Sequence, residues 1–403
     1  MKMPMGHAIG RLLLISGVVL LPRLAMAEEQ QKIQPYEVIR SLMLLQDDLV
    51  AGKGRAMSLH ASFMQKILNH FQSADDAVWA DPRNAQAALI YVLSGGDAAI
   101  LAKLQKLGEA AALDQHVLKI ALSISSGKHE EARDEIAKME LLSLPRQVGA
   151  LLALAAAQMW QKDNTDRAIA YYDQARLIGG SGLIEEAALR RQLFVVAKLR
   201  DFEKVEALIR QYCARMGRSV FSKNMAQQVG AAIVELNYET SPDRLPRLFA
   251  FVDAAPLGFR RKVYLELARH AVVLGQSQVG TLAAKKASSL PDLSVSEAAA
   301  IKLLEIASSL ATADPEKLMD ELQSLSEKQL QGTDKQLLFA LHRIINKVTE
   351  VPKAPPKSKR PTRYRPTNRL KLREEMTKPE LDSVSARALK ELDLATRAIR
   401  QAQ

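Results

Sequence analysis

The chain has 403 residues, 48% of them apolar but only 5% aromatic, one cysteine, and a formal charge of +11. A single cysteine excludes an intrachain disulfide framework, and a composition led by Ala and Leu with so few aromatics argues against sheet. The charge is local: removing Lys2, Arg11 and Arg23 and the nine cations between 353 and 373 leaves about −1, which excludes a body built to bind polyanions throughout.

Residues 1–27 read as a secretory signal. Lys2, His7 and Arg11 give a basic start, Leu12–Leu21 is a short apolar run, and Ala25-Met26-Ala27 places the cut after Ala27. Such a run rises only about 15 Å as a helix, half the hydrocarbon core of a bilayer. Arg23, close to the cut, leaves a retained anchor as the alternative. No cysteine follows the small residues, which argues against a lipid anchor. The expected place of work is outside the cytoplasm, without ATP or nucleic acid.

From 28 to 350 the pattern predicts a helical-repeat domain. Tyr36–Val50 sets Val38, Ile39, Leu42, Leu45 and Leu49 on one face, Gly52-Lys53-Gly54 ends it, and Met57–Phe71 returns with Met57, His60, Met64, Ile67, Leu68 and Phe71. Breakers recur at Asp81-Pro82, Gly95-Gly96, Gly127, Leu144-Pro145, Gly179–Gly182, Ser241-Pro242 and Asp314-Pro315. Helix starts are read at Asn164 or Thr165, at Ser294 or Ser296 with Glu297, and at Thr333-Asp334. Leu152, Ala155, Ala156 and Met159, followed by Ala168, Tyr172 and Ala175, have the intervals of a tetratricopeptide hairpin. Weaker echoes at Ile120, Leu193 and Ala268 repeat at about 37 residues, the third after a double interval. The expected fold is all-α, an α-solenoid of antiparallel helical hairpins; an irregular helical bundle is the alternative.

Residues 351–378 break the pattern. Pro352, Pro355, Pro356, Pro361 and Pro366 disfavour helix, and the interspersed cations repel one another, so an extended linker is predicted. A last amphipathic helix is expected over 379–403, with Leu381, Ala388, Leu392, Ala395 and Ile399 on one side. Lys357, Lys359, Arg360, Arg363, Tyr364 and Arg365 are the candidate contact residues. They form either a solvated spacer or an electrostatic attachment to peptidoglycan or another anionic envelope surface.

No catalytic constellation emerges. The seven histidines form no His-x-x-x-His pair for a metal, Gly52-Lys53-Gly54 and Gly179–Gly182 lack the spacing of a phosphate cradle, and there is no Gly-x-Ser-x-Gly elbow. Glu130-Glu131, Glu185-Glu186 and Glu374-Glu375 read as solvated helix faces, because adjacent side chains diverge by about 100°. Trp79 and Trp160 are too isolated for a carbohydrate platform. Cys213 falls in the apolar stripe of Val205, Leu208, Ile209 and Tyr212 and reads as a core thiol. Neither an enzyme, a cofactor nor a nucleic-acid partner is expected.

The opening block Pro35-Tyr36-Glu37-Val38-Ile39-Arg40-Ser41-Leu42, continuing to Leu45-Gln46-Asp47, resembles the periplasmic motility protein MotC family. The central Gly182-Leu183-Ile184-Glu185-Glu186-Ala187-Ala188-Leu189-Arg190-Arg191 does so too. The resemblance covers most of the chain after the signal, and no family site transfers residue by residue. It implies a periplasmic accessory of flagellar rotation that binds the periplasmic part of the stator subunit MotB and affects stator assembly or ion-channel opening. A general periplasmic scaffold for envelope or secretion assembly is the alternative. A wall-cleaving enzyme would need a further, aromatic-rich domain that the sequence lacks.

Overall fold

The computed structural model describes residues 33–349 except position 242, and the regular structure among them is entirely helical. The predicted signal, the linker with Lys357, Lys359, Arg360, Arg363, Tyr364 and Arg365, and the final helix lie outside the described residues.

The helices follow one another as hairpins: α1 (Pro35–Val50) with α2 (Gly54–Ser73), α3 (Pro82–Leu93) with α4 (Ala99–Leu107), α5 (Gln115–Ser125) with α6 (His129–Ile136), and α7 (Arg146–Trp160) with α8 (Thr165–Gly179). Then come α9 (Leu183–Lys198) with α10 (Phe202–Arg215), α11 (Ser222–Glu235) with α12 (Arg244–Asp253), α13 (Leu257–Val273) with α14 (Ser277–Ser288), and α15 (Val295–Ser309) with α16 (Pro315–Gln323). α17 (Thr333–Thr349) closes the described part.

Short polar side chains start many of these helices by accepting the free N–H groups of the first turn. Asp81 accepts from Arg83 N at 2.8 Å and Asn164 from Arg167 N at 3.0 Å. Ser294 and Glu297 form a reciprocal capping box. Of the alternatives in the sequence, Asn164 and Ser294 are the caps, and Thr333 begins α17.

Small residues set the hairpin crossings. Ala156, Ala168 and Ala175 are fully buried, with Tyr172 filling the space between α7 and α8. Ile120, Leu193 and Ala268 hold equivalent buried positions, and α11 with α12 fills the interval the pattern skipped. From α9 onward the first helices of successive hairpins pack in a row: α9 on α11, α11 on α13, α13 on α15, α15 on α17. A Cβ on Gly230 of α11 would lie 3.0 Å from the Glu266 carbonyl of α13, so a side chain there would press the two helices apart by a few tenths of an ångström.

The beginning of the array departs from an open stack. α1 packs on α2 and α3 but also on α9, and α3 packs on α7. Val220 N donates to the Leu49 carbonyl at 3.0 Å, fastening the first hairpin to the loop between α10 and α11. Gly52 makes this clasp possible. Its φ is +80°, and a Cβ there would stand 2.1 Å from the Arg218 carbonyl oxygen.

Two apolar cores result, one from α1 to α9 and one from α9 to α17. α9 belongs to both, with Ala187, Ala188 and Val195 in the first and Leu189, Leu193 and Val196 in the second. Two readings need correction. Met57 is 46% exposed, because Ala56 takes the inward position on that turn. Glu185 and Glu186 are not solvated: they are 2% and 0% exposed. Both faces of α9 are covered by neighbouring helices, and each carboxylate meets a partner on the next. Tyr212 Oη donates to Glu186 at 2.9 Å and Arg190 Nε at 3.1 Å. Arg215 Nη1 and Gln211 Nε2 donate to Glu185 at 2.8 and 2.6 Å.

Candidate functional site

Closing α1 over the array leaves a hollow between it and the hairpins beneath. This groove has a volume of about 670 Å³. Its floor is apolar and comes mainly from α7, whose Leu151, Leu154, Ala155 and Met159 face it. Met43 of α1, Ile90 and Leu93 of α3, Ile124 of α5, and Leu183, Ile184 and Ala187 of α9 make the walls. α7 is apolar on every side, which is what a helix with a packed back and a lined hollow in front requires.

The polar groups on this groove are uncharged or basic. Gln46, Gln147 and Gln158 contribute amides, His60 and His129 imidazoles, and Lys162 and Arg191 cations; no Asp or Glu lines it. Arg191 also lines a smaller hollow of about 170 Å³ with Gln161, Arg190, Phe194, Asn224 and Gln228, again without a carboxylate. The cations on the two hollows are thus Lys162, just past the end of α7, and Arg190 and Arg191 of α9, while α11 adds the uncharged Asn224 and Gln228.

The two neighbouring arginines of α9 have different surroundings. Arg190 is held by Glu186, whose carboxylate also receives the Tyr212 hydroxyl. Burial in turn pushes the Tyr212 phenol well above its usual range, assisted by that carboxylate. Arg191 is half-buried and makes no hydrogen bond or ion pair among the described residues. Burial lowers its pKa, with the Arg190 charge adding to the effect. His60 is shifted down by burial as well, and its Nε2 is enclosed without a hydrogen-bond partner.

The remaining singled-out residues are structural. Trp79 is fully buried, edge-on to Phe71 at 5.6 Å. Trp160 lies between the guanidinium groups of Arg133 and Arg167, 4.2 and 4.6 Å from its ring centre. Cys213 is 4% exposed, and burial pushes its thiol up to about 12, far from a nucleophile's range. No cluster of three or more His, Cys, Asp or Glu able to hold a metal occurs among the described residues. No helix among them is long and apolar enough to cross a membrane.

Sequence reasoning missed the groove. Its lining reads as ordinary core stripe on each helix separately, and only the return of α1 to α9 makes those stripes converge. The one legible signal was Arg190-Arg191, two cations on a helix otherwise rich in Ala, Leu and Val.

Comparison with known proteins agrees with the sequence blocks. The family model described as Chemotaxis protein MotC matches residues 2–403. A curated Chemotaxis protein MotC from Rhizobium meliloti (strain 1021) is 28% identical over 347 residues, spanning 85% of this chain and 79% of the relative. No solved structure matches.

Proposed function

This chain belongs to the MotC family of chemotaxis proteins, and we propose that it serves flagellar rotation as a non-catalytic accessory in the periplasm. In this reading it binds the periplasmic part of the stator subunit MotB and favours one stator conformation by binding that state more tightly, affecting stator assembly or channel opening. The observation that carries the reading is the groove: a helical-hairpin array of this family with an apolar hollow on its inner side offers a shaped surface for another protein. The signal read at residues 1–27 supplies the location, and the cations from Lys357 to Arg365 a contact with the anionic envelope.

The test combines genetics with capture. A deletion strain is expected to build flagella that do not turn, and the tagged full chain to retain the stator subunit from periplasmic extract. Normal swimming together with a leaky envelope would instead favour a general envelope scaffold, and normal swimming with no stator recovered would end the motor reading.

A further inference from the structure

Because the body is close to neutral overall, a groove lined without a single carboxylate is a feature of position rather than composition. Arg191 is the centre of it. A half-buried guanidinium without an anion is unfavourable in the free protein, since burial removes water that nothing replaces. Lys162, also free of any ion pair, stands on the same groove at the end of α7. Glu186 offers Arg191 little compensation, because Arg190 and Tyr212 already occupy its oxygens.

We infer that the groove receives an acidic amphipathic segment of a partner protein, its apolar side chains on Leu151, Leu154 and Ile184 and a carboxylate on Arg191. The inference rests on reading the groove as the partner-binding face. Charge complementarity selects the occupant. Of the chain's own tail, 353–373 is excluded by its sign, since it carries nine cations and no acidic residue, and 379–403 is neutral rather than acidic, with Arg387, Lys390, Arg397 and Arg400 against Glu380, Asp382, Glu391 and Asp393. A peptide fits better than a lipid because Gln46 and Gln147 line the groove with side-chain amides that make no hydrogen bond among the described residues. Amides of that kind can both donate to and accept from a peptide backbone, whereas an acyl chain would leave them unsatisfied.

The experiment measures binding of labelled amphipathic peptides of about 15 residues to the purified full chain. One peptide has Glu on its polar face, one Gln and one Lys, over the same Leu face. The Glu peptide is expected to bind about tenfold more tightly than the Gln peptide, as one charge-assisted pair allows, and the Lys peptide not at all. Arg191→Gln should erase the Glu-over-Gln preference, while its melting temperature stays level or rises, because the change removes an unpaired charge. Lys162→Gln, at an exposed position, should reduce the preference partially. Equal binding of the three peptides, a preference that survives Arg191→Gln, or attachment to phosphatidylglycerol vesicles with no peptide binding would each overturn the inference.

Capture of the stator subunit separates this inference from the functional reading. If wild type and Arg191→Gln retain it equally, the groove is not its seat and the motor role stands. If neither retains it while the Glu peptide still binds through Arg191, the groove chemistry stands and the stator reading fails.

Discussion

From α9 onward, buried carboxylates are answered within their own hairpin or by another one, whereas from α1 to α8 no charged residue is fully buried among the described residues. In the later half Glu186 meets Tyr212 and Arg190, and Glu206 meets Tyr238, Arg244 and Arg247. Asp334 of α17 is gripped by both Arg269 Nε and Nη2, at 2.9 and 2.8 Å. The earlier half has instead an open apolar hollow, a basic lining and an enclosed imidazole without a partner. The same hairpin unit thus yields two materials. A buried directional ion pair between hairpins, such as Glu206 with Arg244, fixes their register; in the first half the cross-hairpin pair Arg133–Asp163 lies at the surface, and there the fold holds a hollow open.

The strongest way to break this contrast is Glu186→Ala, which strands Arg190 and Tyr212 in the core. Loss of about 3–5 kcal/mol in urea unfolding is expected, as for removal of one partner of a buried pair. Lys162→Ala on the groove should change stability hardly at all. Next, Leu193→Ala, at a fully buried position, should cost about 3 kcal/mol by opening a cavity. Leu154→Ala should cost about 1 kcal/mol, because its side chain already borders the hollow.

Gly52→Val sharpens the comparison from the other side. Positive φ and the Arg218 carbonyl both oppose a side chain, so a penalty of about 1–3 kcal/mol is expected. Hydrogen exchange should then locate the loss in α1 and α2, leaving α13 to α17 protected. A uniform loss across the chain would show that the halves are not separable.

The smallest effect concerns pH. His60 has its pKa lowered by burial, so below about 6.5 the unfolded chain takes up a proton that the folded one resists. Stability should therefore fall as pH drops from 7 to 5, and a His60→Gln variant should fall less steeply in thermal melts. Identical slopes would mean that the imidazole is not enclosed in solution.

Much of the fold was legible because its determinants are local. Asp81, Asn164, Ser294 and Asp314 announce helix starts through hydrogen bonds made within three residues. Ala156, Ala168 and Tyr172 mark a crossing between helices adjacent in sequence. The groove and the bracing were not legible, because both depend on where distant helices meet. Glu185-Glu186 looked solvent-facing by adjacency alone, yet at 100° per residue both fall inside the arc of Ala188, Leu189, Leu193, Val196 and Ala197, all of which are buried. That pattern was the available clue. The candidate contacts from Lys357 to Arg365 lie outside the described residues, and the groove's Arg191 and Lys162 come from elsewhere in the chain.

The clasp between Leu49 and Val220 also carries a consequence for how the molecule comes together. The hairpin of α1 and α2 can make this clasp only after the loop following α10 exists, so the contact forms later than those of α1 with α2 and α3. Loops of that span close slowly. Until they do, Leu49 and Val50 stay uncovered, and a chain caught at that stage is the one that sticks to its neighbours.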